Sequence, residues 1–188
     1  MKIYNDSEKK SLSNEDIQNV PGSKFVLKMN MDESQIGIEY NEEEQDEITF
    51  KNIQNEEKWR YAVTVDNRPY LNDAGLGLVL SDADIENNVY QQFIFGQDSW
   101  STVIDSYAKK GMVWDIADEN NLDPPPGTPF YLFPFHGRHN QHFLLQDGKI
   151  IAKQNGMAVT YMGGKNPFRM MPLSPKLKER QTFKVQLL

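Results

Sequence analysis

The three histidines of the chain, His136, His139 and His142, fall within seven residues, and three carboxylates, Asp115, Asp118 and Glu119, lie close together upstream. Clustered imidazoles raise the chemistry of zinc and other transition metals, which needs several donors converging on one ion. The spacing does not supply that convergence: His142 enters an extended segment pointing away from Phe143, while His136 and His139 belong to the turn before it. Neighbouring carboxylates raise glycoside hydrolysis, which needs two of them held across the scissile bond at a defined separation. Nothing in the order of Asp115, Asp118 and Glu119 fixes such a separation, and no Ser-His-Asp arrangement or phosphate loop accompanies them. We therefore expect no enzyme, no catalytic residues, no metal ligands and no cofactor.

Composition narrows the class further. The 188 residues hold 27 acidic against 20 basic side chains, a formal charge of -7. Affinity for nucleic acid rests on Lys and Arg displacing counterions, so this balance excludes a general phosphate-binding surface and disfavours anionic membranes. With 38% apolar and 25% charged residues the length suits one globular domain with an accessory end. Cysteine is absent, and with it any disulfide framework or thiolate chemistry. The amino-terminal residues lack the apolar stretch of a secretory signal, and nowhere do ~18 apolar residues run together as a membrane span requires. These features predict a cytoplasmic protein without membrane insertion, unconventional secretion being the open alternative.

The elements that must position the candidate residues are short strands. From Ser23 onward, runs of β-branched and aromatic residues alternate with turn signals, the pattern of an all-β sandwich or barrel. Expected strands are Phe25–Met29, Gln35–Tyr40, Ile48–Ile53, Trp59–Val65, Pro69–Asn72, Leu76–Leu80 and Gln92–Phe95, then Ser101–Asp105, Met112–Ile116, Phe130–Phe135, Phe143–Gln146, Lys149–Lys153, Ala158–Met162, Phe168–Leu173 and Phe183–Leu188. Residues 1–22 are polar and read as a flexible tail. The acidic run Glu42 to Glu47 reads as a solvated loop, since adjacent carboxylates repel. Asp147-Gly148 and Asn155-Gly156 are tight-turn dipeptides, and Pro124-Pro125-Pro126-Gly127 is a stiff loop unable to join a ladder.

A repeat organises these strands. Gln91-Gln92-Phe93, Gln141-His142-Phe143 and Gln181-Thr182-Phe183 recur at intervals of 50 and 40 residues, the self-similarity of an array or a pseudo-symmetric fold. Gly111-Met112-Val113-Trp114-Asp115 overlays Gly156-Met157-Ala158-Val159-Thr160. The strings Val113-Trp114-Asp115-Ile116, Gly127-Thr128-Pro129-Phe130-Tyr131-Leu132-Phe133-Pro134-Phe135-His136-Gly137 and Asn140-Gln141-His142-Phe143 together resemble a ricin-B-type (R-type) lectin repeat, with Gln-x-Phe where that family has Gln-x-Trp. The resemblance implies an all-β fold, a β-trefoil of three four-strand units over residues 57–188, with an additional N-terminal β-rich accessory segment over 23–56. A trefoil whose first unit begins near Ser23 is the other reading of the same strands.

The resemblance also implies a function: non-catalytic carbohydrate binding at one principal site in the middle unit. Asp115 would accept hydrogen bonds from neighbouring sugar hydroxyls, Phe133 or Phe135 would cover the apolar sugar face, and Asn140 would donate, supported by Gln141. Tyr131, His136 and Gly137 would line the rim. An exposed Asp115 of this kind could be replaced by alanine with little thermal cost. The third unit has Thr160, Met171 and Arg180 where acid, aromatic and Asn are needed, and the first has Asn72 and Tyr90 opposite Asp115 and Asn140. One shallow sugar site binds at about millimolar strength, or about -4 kcal/mol, so the expected partners are glycans or glycoproteins, galactose or GalNAc-type among them, with avidity supplied either by a homo-oligomer or by a partner domain. The competing expectation is a β-trefoil protein-interaction module, such as a protease inhibitor, acting through Leu122, the triple proline and Phe130.

Overall fold

The computed structural model describes residues 22–42, 59–70, 75–96, 102–118 and 120–188, and among these there is no α-helix. Twelve strands follow one another among the described residues: β1 Lys24–Met29, β2 Tyr61–Tyr70, β3 Gly75–Asp82, β4 Phe93–Phe95, β5 Ile104–Ser106, β6 Met112–Ile116, β7 Phe130–Pro134, β8 Phe143–Gln146, β9 Lys149–Ala152, β10 Ala158–Tyr161, β11 Phe168–Met171 and β12 Phe183–Leu187. Alternation explains them: in β7, Phe130 and Leu132 are buried while Tyr131 and Phe133 are partly exposed, as the two-residue period of a half-buried strand demands.

Eight strands form one sheet in the order β12-β1-β2-β3-β7-β6-β5-β4, and a further pairing of β1 with β4 closes seven of them into a barrel-like ring. The remaining four run in the order β11-β10-β9-β8. The Phe143 N–H donates to the Thr102 carbonyl and the Phe183 N–H to the Gly148 carbonyl, each at 2.7 Å, so backbone bonds stitch the two sheets together. Phe93, Phe143 and Phe183 are at most 2% exposed and share one core cluster with Trp114. The Trp114 ring lies 5.4 Å from Phe93, 5.1 Å from Phe130 and 6.2 Å from Phe143. Each phenylalanine buried in this way contributes roughly 1.5–3 kcal/mol of transfer free energy, and no single unit could enclose all three.

Three hairpins, β2–β3, β6–β7 and β10–β11, repeat one register. Ala62 faces Ser81, Val113 faces Phe133 and Ala158 faces Met171; two residues along, Thr64 faces Val79, Asp115 faces Tyr131 and Thr160 faces Arg169. The position equivalent to Asp115 in the first hairpin is therefore Thr64, not Asn72, which lies outside the described residues.

Elsewhere the chain departs from the sequence expectation. Gln35–Tyr40 is not a strand: Asp32 caps a 3-10 turn over Glu33–Gln35, its carboxylate accepting from the Ser34 N–H while the Gln35 side chain accepts from the Asp32 N–H, and this local bonding outcompetes extension. Trp59–Val65 and Pro69–Asn72 merge into the single strand β2, with a register shift between Asp66 and Pro69 that accommodates a residue lacking an N–H. β1 stands in the ring itself, paired with β12, β2 and β4. The tail before Gly22, the expected strand Ile48–Ile53 and the acidic run beyond Glu42 lie outside the described residues.

Candidate functional site

The glutamine of each Gln-x-Phe string is fully buried and ends a short 3-10 turn, Val89–Gln91, His139–Gln141 or Glu179–Gln181. From there it brackets its own hairpin. Its Oε1 accepts a loop N–H, from Asp84 at 2.8 Å, from His136 at 2.9 Å and Gly137 at 3.0 Å, or from Ser174 at 3.2 Å. Its Nε2 donates to a strand-end carbonyl, Asp82, Pro134 or Pro172, at 2.8, 3.1 and 2.9 Å. The same Nε2 reaches a side chain on the hairpin's first strand: Thr64 at 3.1 Å, Asp115 at 2.7 Å, Thr160 at 3.0 Å. A buried carboxamide both accepts and donates this way, and in Gln141 all four of its hydrogen-bonding functions are met, which explains why glutamine stands there.

In the middle unit the bracket carries a carboxylate. Asp115 is only 2% exposed, and its oxygens take donors from Gln141, from Asn140 Nδ2 at 3.0 Å and from the His136 imidazole at 3.1 Å. Asn140 is fully buried, donates also to the Ile116 carbonyl at 3.0 Å, and leaves its Oδ1 as a buried acceptor that no donor reaches among the described residues. Over Asp115 lies His136, partly exposed, and beside it Phe133, whose ring stands edge-on to those of His136 and Tyr131 at 6.0 and 5.7 Å. Gly137 is partly exposed at the rim and Phe135 is exposed. The structure thus brings Asp115, His136, Asn140 and Gln141 into direct contact and sets Phe133 against His136 with Tyr131 next to it. The outward layer is aromatic and the inward layer polar. Because Asp115 is an inner member and not an exposed acceptor, an Asp115→Ala change would orphan three buried or half-buried donors and should lower stability, against the expected thermal neutrality.

The three histidines do not converge. His136 faces Asp115; His142 meets the Thr102 hydroxyl at 2.7 Å and, at 3.4 Å, the Gly137 carbonyl; His139 buries its Nε2. No group of three metal-binding side chains converges among the described residues. Burial pushes the His142 imidazole below its ordinary range, against the opposing pull of the Gly137 carbonyl.

The third unit is filled differently, and sequence reasoning missed how. Arg180, in the place of Asn140, is 5% exposed, donates to the Tyr161 carbonyl at 3.1 Å and lies 4.7 Å from the centre of the Tyr40 ring. Burial lowers the guanidinium's proton affinity. Tyr40 comes from the β1–β2 connection, and no local signal in either segment announces the meeting. A cleft of about 350 Å³ opens nearby, between Asp66, Arg68 and Gly77 on one side and Gly164 to Phe168 on the other. The proline loop is less prominent than expected: Phe130 is 3% exposed, Pro124 is buried, and the Gly127 N–H donates to the Met170 carbonyl at 2.8 Å, which leaves Leu122 as its exposed apolar side chain beside Pro125 and Pro126.

No family model and no curated protein matches the chain. Solved structures do. The C-terminal half of an earthworm R-type lectin, in complex with GalNAc, is 11% identical, with 88% of this chain and 99% of that one covered at a TM-score of 0.53. The agglutinin of Abrus precatorius is 10% identical at a TM-score of 0.53, with 69% of this chain and 44% of that one covered, so this chain spans less than half of the agglutinin's length. A designed threefold-symmetric protein, ThreeFoil, is 16% identical over 68% of this chain and 91% of its own at a TM-score of 0.51. R-type lectins are thus among the structures to which this chain is similar, and at these identities the likeness is one of fold.

Proposed function

We propose that the protein is a non-catalytic carbohydrate-binding β-trefoil whose principal sugar site lies in the middle unit. Twelve strands, three hairpins in one register and three glutamine brackets support the trefoil. The place of β1 in the ring supports a first unit that starts near Ser23, with the β1–β2 connection inside it, over one that starts near residue 57.

One observation carries the sugar reading. Thr64 and Thr160 show that a hydroxyl is enough to complete the bracket, yet the middle unit puts a carboxylate there, at a larger desolvation cost. A charge that the scaffold does not need is a charge available for a ligand. In this reading the His136 ring swings aside, two adjacent sugar hydroxyls replace it as donors to Asp115, and a third meets the unfilled Oδ1 of Asn140. Phe133 and Tyr131 then cover the C–H face of the sugar, Phe135 and Gly137 bound it, and Gln141 holds the carboxylate in place. Directional acceptors beneath an apolar wall are what select a polyol over water. The earthworm lectin's GalNAc makes galactose and GalNAc the first ligands to test, and homo-oligomerisation would raise a weak single-site affinity through avidity.

The test is a glycan array read with the wild-type protein and with Asp115→Thr, which installs the residue that the two sister units already use. Glycan binding should disappear while the melting temperature changes by only a few degrees. A folded Asp115→Thr protein that binds the same glycans equally well would refute the site.

A further inference from the structure

We infer that the face of the third unit carrying Arg169, Lys176 and Arg180 is a groove for an extended acidic peptide centred on a tyrosine, and that residues Gly37 to Glu42 are its tethered occupant. This inference is independent of the sugar reading. It starts from the sequence Gly37-Ile38-Glu39-Tyr40-Asn41-Glu42, which leaves the 3-10 turn and lies across β10, β11 and the turn after them. Two of its backbone N–H groups are held by the unit: the Gly37 N–H donates to the Tyr161 side-chain hydroxyl at 2.9 Å and the Tyr40 N–H to the Met162 carbonyl at 2.7 Å. Its side chains then meet three cations. Glu39 accepts from Arg169 at 2.9 Å, Glu42 from Lys176 at 3.0 Å, and the Tyr40 ring covers the Arg180 guanidinium. Ile38 points away and is 63% exposed. The groove therefore reads a carboxylate, an aromatic ring and a second carboxylate, and leaves Ile38 unread.

Charge explains why this is a recognition surface and not merely packing. In a chain of formal charge -7, Arg169, Lys176 and Arg180 gather on one unit. Among the described residues no carboxylate forms a salt bridge with Arg180 although it is almost fully buried; the Tyr161 carbonyl and the Tyr40 π face meet its guanidinium, and Glu179 adds a longer-range attraction. Such a cation attracts an acidic, aromatic ligand whenever the cover lifts. The cover is weakly held: Glu39, Glu42 and Lys176 are each more than 60% exposed, and exposed ion pairs add little. Tethering does the rest, because a short connection keeps the segment at an effective concentration of roughly millimolar order. A partner segment of the same chemistry, supplied in trans, competes for the same groove.

The probe is a synthetic peptide copying residues 36–42, titrated by NMR into the full chain carrying Glu39→Ala and Tyr40→Ala. Saturable binding is expected, about tenfold tighter than to the wild type, whose groove is filled. It should be lost when the peptide's glutamates are replaced by lysines or when the chain also carries Arg169→Glu, and it should survive Asp115→Thr, which separates this site from the sugar site. No saturable binding to the folded variant overturns the proposal. Equal affinity for the lysine peptide does so too, as does a concentration-dependent doubling of mass, which would make a second copy the occupant. Should the double variant not fold, hydrogen exchange decides in the wild type: excess peptide should accelerate exchange of the Tyr40 amide, and unchanged protection overturns the groove.

Discussion

The middle and third units share a hairpin register and a glutamine bracket, and differ in what stands on them. In the middle unit the bracket holds Asp115, the adjoining position is the small amide Asn140, and the outer face keeps Tyr131 and Phe133 partly open. In the third unit the bracket holds Thr160, the adjoining position is Arg180, and Tyr40 lies over it from the β1–β2 connection. Register makes the substitutions correspond one to one: Tyr131 to Arg169 and Phe133 to Met171. The comparison separates scaffold from function. What both units keep, the glutamine and the core phenylalanine, serves the fold; what differs is the charge beside it, a carboxylate in the middle unit and a guanidinium in the third.

The largest effect should follow from removing a bracket. Gln141→Ala strips partners from the Asp115 carboxylate, the Pro134 carbonyl and the His136 and Gly137 N–H groups, whereas Gln181→Ala strips them from a hydroxyl, the Pro172 carbonyl and one N–H. Each buried group left unpaired costs about 1–3 kcal/mol, more when charged. Gln141→Ala should therefore lose about 5 kcal/mol by urea unfolding and Gln181→Ala about 3 kcal/mol. Equal losses would mean that the carboxylate is not held by the bracket.

A smaller effect separates the covered unit from open surface. Gly163 and Gly156 both have positive φ, +71° and +74°, so alanine at either pays the left-handed penalty of roughly 1–2 kcal/mol. At Gly156 a Cβ meets nothing within 4 Å, but at Gly163 it would sit 1.8 Å from the Ile38 carbonyl oxygen. Gly163→Ala must push the 36–42 segment off, and the excess of its destabilisation over that of Gly156→Ala measures how firmly the segment is seated. Protease sensitivity near Tyr40 should rise in the first variant alone. Identical behaviour of the two would remove the segment from the third unit.

Much of this architecture was legible in the sequence because it rests on local signals. The sequence bounds Met112–Ile116 and Phe143–Gln146 match β6 and β8 to the residue, the first opening after Gly111 and the second closing at Asp147-Gly148, and the Gln-x-Phe strings locate the core phenylalanines. The first hairpin's counterpart of Asp115 was misplaced because Thr64 is unremarkable in sequence and is identified only by its contact with Gln91, 27 residues on. Burial of Asp115 and Asn140 is likewise invisible in sequence: an Asp beside an apolar run and an Asn in a polar turn both read as exposed, and only their mutual contact across 25 residues, with Gln141, accounts for the burial. The pairing of Tyr40 with Arg180 joins residues from opposite ends of the chain, which no period or spacing encodes.

The smallest effect is a pH dependence confined to the middle unit. His142 occupies the variable position of its Gln-x-Phe string, where the third unit has Thr182, whose hydroxyl donates to the Lys178 carbonyl at 2.6 Å. Burial lowers the His142 proton affinity from an ordinary value of 6.5. A group depressed in the folded state is neutral there while the unfolded chain takes up a proton more readily, so its contribution to stability is present above 6.5 and is lost as pH falls through the folded value. The wild-type urea midpoint should therefore decline between pH 7.5 and 5, and His142→Thr, copying the third unit, should flatten that decline without altering the midpoint at pH 7.5 by more than the loss of the Thr102 hydrogen bond, about 1 kcal/mol. An undiminished decline in His142→Thr would move the titrating group elsewhere, and Asp105 is not that group: burial raises its carboxyl above 3.8, which makes acidification favour the folded state through that residue, the opposite sign.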